Sequence, residues 1–106
     1  MPKYLFTASY TAEGLPGLLQ EGGSGRRAAT QAAVESAGGT LESFYYAFGD
    51  TDVFIIADLP DDESAAALNL AAAAAGAVST KTTVLLTAEQ LDAASKKAVT
   101  YRKPGG

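Results

Sequence analysis

Asp50 and Asp52 stand two residues apart in the segment Gly49-Asp50-Thr51-Asp52, and two carboxylates that close can hold a divalent ion or share a proton. The competing reading is structural, because Asp at a turn accepts hydrogen bonds from the local backbone. The pair lacks the later Asp, Gly and Glu of an EF-hand loop, and no metal site is expected. Tyr45 and Tyr46 are neighbours, so on a strand they point to opposite faces. Whichever enters a pocket can donate a hydrogen bond or act as a general acid, and aromatic packing is the alternative. Arg26 and Arg27 follow Gly23-Ser24-Gly25. Free backbone N–H groups at a helix start beside two guanidinium groups suit a carboxylate or phosphate, unless the arginines lie in water or pair with Glu21 or Glu35. The candidate ligand-binding residues are Tyr45, Tyr46, Asp52 and Arg26.

Other chemistries are excluded by composition. The 106 residues include no Cys, no His and no Trp, which removes disulfides, thiolate nucleophiles, Ser-His and Cys-His pairs and ordinary zinc or haem ligation. No cofactor is expected. Eight Lys and Arg against twelve Asp and Glu give a net charge of -4 and an isoelectric point near 4.6. Nucleic acid is therefore not expected as a partner, since phosphate binding needs concentrated cations. The segment Gly23 to Ala28 satisfies the letters G-x-G-x-x-A, but no strand leads directly into it, as a dinucleotide site requires. Neither a secretory signal nor a membrane span is expected, and a cytoplasmic location follows as the default.

The elements that must position these residues can be read in order. Lys3 to Tyr10 alternates as a strand. Ala12 to Gln20 is a weak helix around Pro16, Gly22 to Gly25 a flexible break, and Arg26 to Ala37 a helix with Ser24 as a possible cap and Gly38-Gly39 as its stop. Thr40 to Phe48 and Asp52 to Leu59 form a hairpin about Gly49-Asp50-Thr51. Asp61 or Asp62 caps a second helix from Ser64 to Ala75 whose alanines let it lie close to the sheet. Val78 to Leu86 makes a fourth strand, with Lys81 read as an edge-strand guard. A capping box at Thr87 and Gln90 opens a terminal helix to about Ala98. One domain over 1–100 and a flexible tail over 101–106 are expected, with residues after Ala98 adding little stability.

The order β, α, β, β, α, β with an extra helix is the α+β, ferredoxin-like pattern with a four-stranded antiparallel sheet. Phe54 and Ile56 point to one face of that sheet and Val53 and Ile55 to the other, so both faces are apolar and a second sheet is the economical cover. A homodimer or higher even oligomer is the expected partner state.

The run from Phe44 to Val53, the segment Ala57 to Glu63 and Ser79 to Thr83 resemble the GYD domain family, with similarity extending over about Tyr4 to Leu91. Gly49 and Asp52 match its Gly, Tyr, Asp motif, whereas Thr51 stands where the Tyr is expected. The resemblance implies a dimeric α+β barrel, in which two ferredoxin-like sheets pack face to face and a small-ligand pocket lies between sheet and helices. Two functions fit. One is a homo-oligomer that binds a small organic ligand or catalyses cofactor-independent proton transfer or oxidation. The other is a non-catalytic structural or regulatory module whose pocket is filled by its own side chains.

Overall fold

The computed structural model describes residues 1–106. Its elements are β1 (Lys3–Tyr10), α1 (Leu15–Ser36), β2 (Thr40–Tyr46), β3 (Val53–Asp58), α2 (Asp62–Ala75), β4 (Val78–Leu85) and α3 (Ala88–Ser95). The four strands form one antiparallel sheet in the order β2-β3-β1-β4. This is the ferredoxin-like arrangement the pattern predicts, with β3 and β1 as the two central strands.

Register decides which residues share a face. Tyr4, Phe6 and Ala8 of β1 pair with Ala57, Ile55 and Val53 of β3; of these, Tyr4, Phe6, Ala57 and Ile55 meet Val34 of α1, Leu59 and Ala65 of α2 in the core, and Ala8 and Val53 are buried beside them on the same face. Tyr4 and Leu59 are the largest side chains fully withdrawn from solvent. The opposite parity, Leu5 with Ile56 and Thr7 with Phe54, lies on a face that no helix covers. Phe54 is 41% exposed there and Tyr45, its partner on β2, 70% exposed. At one end of that face Lys3 donates to Glu42 at 2.6 Å and to Asp58 at 2.9 Å. These two bonds, that to Glu42 foremost, raise the Lys3 pKa above its ordinary value.

Several boundaries differ from the sequence expectation. The segment Gly22 to Gly25 is not a flexible break: only Gly22 leaves helical geometry, at φ 80° and ψ 164°, and the helix resumes at Gly23. Pro16 is tolerated because it lies in the first turn, where its missing N–H has no intrahelical partner to lose. Ser24 is consequently inside the helix rather than its cap. The hairpin strands are shorter than expected, because Ala47 N–H closes onto the carbonyl of Asp52 at 2.8 Å and leaves a wider turn between Tyr46 and Val53. Helix α2 begins at Asp62, two residues sooner than expected, with Asp61 accepting from the Ser64 N–H at 2.8 Å. The Ser64 hydroxyl, which also donates to Asp61, and this backbone bond hold its carboxyl below the usual range. The Thr87–Gln90 capping box forms as read, but α3 ends at Ser95 rather than near Ala98. Strand β4 is an edge strand carrying Lys81. No helix is long and apolar enough to cross a membrane.

Candidate functional site

Between α1 and α2, floored by the sheet, lies a cleft of about 310 Å³. Its floor is Phe6, Ala8 and Tyr10 of β1, Phe44 of β2, Val53 and Ile55 of β3 and Val78 and Thr80 of β4; its walls include Ala29, Thr30 and Ala33 of α1 and Leu68, Asn69, Ala71 and Ala72 of α2. The alanine rows explain why it exists. The alanines of α2, which the sequence marks as a surface for close approach to the sheet, here line open space together with Ala29 and Ala33 of α1. Ala29, Ala33 and Ala71 line the cleft and remain exposed, so it opens to solvent.

The polar groups are few. Arg26 is the single charged residue of the lining, and its guanidinium also reaches Glu21 at 3.6 Å across a surface where both are well exposed, a pairing weak enough to be exchanged for a ligand. Tyr10 lines the same end. On the walls, Thr30 donates its hydroxyl to the Arg26 carbonyl at 3.0 Å, and Asn69 accepts the Thr80 hydroxyl at 2.5 Å.

The four residues singled out from sequence fall into three positions. Tyr46 is the tyrosine on the helix side: its register partner is Val53, its ring meets Phe44 edge-on at 5.1 Å between centroids, and its hydroxyl donates to the Gly23 carbonyl at 3.0 Å. Gly23 permits that approach, since a Cβ there would stand 3.0 Å from the ring. Burial above all, and then the neighbouring Tyr10 hydroxyl, raise the Tyr46 pKa, against the pull of Arg26 and Arg27. Tyr46 and Arg26 are thus gathered at the kink of α1. Tyr45 points to the open face of the sheet, away from the cleft. Asp52 is engaged by backbone: its carboxylate accepts the Tyr10 N–H at 2.8 Å and its own N–H donates to the Ala8 carbonyl at 2.9 Å. It therefore fixes the end of β1, and with it the Tyr10 side chain, instead of presenting a free carboxylate to the cleft. Asp50 is exposed, its carbonyl accepting from the Ser9 hydroxyl at 2.8 Å.

Sequence reasoning missed Tyr10, Asn69 and Thr80. Tyr10 shares the parity of Tyr4 and Phe6, a signal that could have placed it at the inner edge of the sheet. Asn69, a polar residue within an alanine-rich helix, was visible as an interruption.

Against known families, the family model of the GYD domain matches residues 4–95. No curated protein and no solved structure gives a match.

Proposed function

Because the chain belongs to the GYD domain family, whose hairpin and strands frame this cleft, we propose that it is a self-associating binding protein for a small, mainly apolar organic molecule with one anionic or hydrogen-bond-accepting end. The observation that carries this reading is the cleft: about 310 Å³, at the lower end of ordinary ligand sites, mostly apolar along floor and walls, and charged only at Arg26. The apolar body of the ligand lies over Phe6, Val53 and Ile55, and its polar end meets Arg26 and Tyr10. Binding is favoured over proton transfer because the carboxylates at this end are already engaged, Asp52 by the Tyr10 N–H and Glu21 by Arg26. A self-filled module is disfavoured because the chain's own side chains leave the space empty.

The test is a thermal-shift screen of short aromatic and aliphatic carboxylates beside their neutral amides, followed by calorimetry on any hit. Carboxylates are expected to stabilise more than the amides, and Ala72→Phe, which fills the cleft from α2, is expected to abolish binding while keeping the fold. Equal response to acid and amide would remove Arg26 from the reading, and undiminished binding by Ala72→Phe would remove the cleft.

A further inference from the structure

Every residue from Leu86 to Gly106 is exposed, including Leu86, Leu91, Val99 and Tyr101, at 61%, 61%, 79% and 77%. Yet the segment holds order of its own: α3 opens with a reciprocal capping box and runs for eight residues. A helix of about two turns is not stable alone in water, so α3 is one side of a contact. The surface area agrees. The chain exposes 7260 Å², against roughly 5,500 Å² for a compact monomer of its mass. The excess, on the order of 1,700 Å², is about what one subunit of an obligate dimer buries.

Charge identifies what covers it. Residues 1–87 carry ten carboxylates against four cations, whereas residues 88–106 carry four cations, Lys96, Lys97, Arg102 and Lys103, against two carboxylates. The ion pairs within the chain, Lys3 with Glu42 and Asp58 and Arg26 with Glu21, use none of those four. A base-rich extension on an acid-rich body complements another copy of itself, and bodies of like charge repel when they associate unless such an extension lies between them.

We propose that Leu86–Lys103 is an exchange arm that docks on a second copy of this chain, its apolar side chains against the partner's uncovered surface and its cations among the partner's carboxylates. The inference rests on the self-association reading for the identity of the partner, and on its own observations for the arm.

The absence of cysteine makes Leu91→Cys a unique attachment point for a benzophenone label on the full chain. Irradiation is expected to join two chains, with the cross-link mapping to residues 1–87 of the second. In sedimentation runs, Lys96→Glu with Lys97→Glu, and separately Leu91→Ser with Val99→Ser and Tyr101→Ser, should weaken association by about tenfold or more, and added salt should weaken the wild-type chain. These side chains are exposed in the subunit, so the sheet, α1 and α2 should keep their circular dichroism signal, and any loss should be no larger than that of the eight-residue α3. Cross-links confined to one chain, or arm variants that associate like the wild type, overturn the arm and leave self-association standing. A wild-type chain that sediments as a monomer overturns both.

Discussion

Tyr4 is the residue whose surroundings make the sharpest solution prediction. Its hydroxyl donates to the Asp62 carboxylate at 2.6 Å, and that bond, with burial and the neighbouring carboxylates, pushes its pKa from 10.0 to about 12. The proton is held more tightly folded than unfolded, so the contribution to stability is complete below pH 10 and is lost as pH rises toward 12. Urea midpoints measured across that window should fall for the wild-type chain and fall less for Tyr4→Phe; parallel slopes would remove the assignment. Asp52 gives a second test. Asp52→Ala leaves the Tyr10 N–H without its acceptor and should cost about 1–3 kcal/mol, whereas Asp52→Asn keeps an acceptor oxygen and should recover most of that loss in the same melts. Asp52 was legible from its place beside Gly49, but the turn-capping alternative named for it does not describe its bonds, because its carboxylate accepts from β1 rather than from the turn. That its partner would be Tyr10, 42 residues away, was not legible, because the pairing depends on how β1 and β3 lie together.

At the scale of elements, alternation specified β1, aromatic and β-branched content specified the other three strands, and local chemistry specified two helix starts, Asp61 and Thr87. The kink of α1 escaped because four small residues, Gly22-Gly23-Ser24-Gly25, look alike as letters, and only tertiary contact selects which one breaks the helix. Gly22 is the one with positive φ, and nothing lies within 4 Å of where its Cβ would stand. Gly22→Ala therefore meets no neighbouring atom but must adopt φ 80° and ψ 164°, a region essentially restricted to glycine, at a cost on the order of 1–3 kcal/mol. Gly17→Ala, also in open space but in ordinary helical geometry, should stabilise by up to about 1 kcal/mol. Equal effects of the two substitutions in thermal melts would mean that α1 straightens in solution. The cleft escaped for a different reason: alanine spacing marks which side of a helix faces the sheet, but not how far the helix stands off.

For the whole molecule, the decisive feature is a sheet with helices on one face and an apolar group, Leu5, Tyr45, Phe54 and Ile56, on the other. Only nine of 106 residues are buried, too few to leave a wide stability margin in a subunit of this size. Self-association through the open face would add the missing burial, and mass action then makes the melting temperature rise with protein concentration. Phe54 is the place to test this, since it sits on the central strand β3 with Tyr45 and Thr7 as cross-strand neighbours. It is also 41% exposed, so a long cation there can reach water in an isolated subunit and be tolerated. Buried against a second sheet, the same cation would lie unpaired at a cost of several kcal/mol. Phe54→Lys is accordingly expected to sediment as a folded monomer whose melting temperature no longer varies with concentration, while the wild-type chain keeps that variation. A variant that associates and melts like the wild type would show that the open face is not where the copies meet.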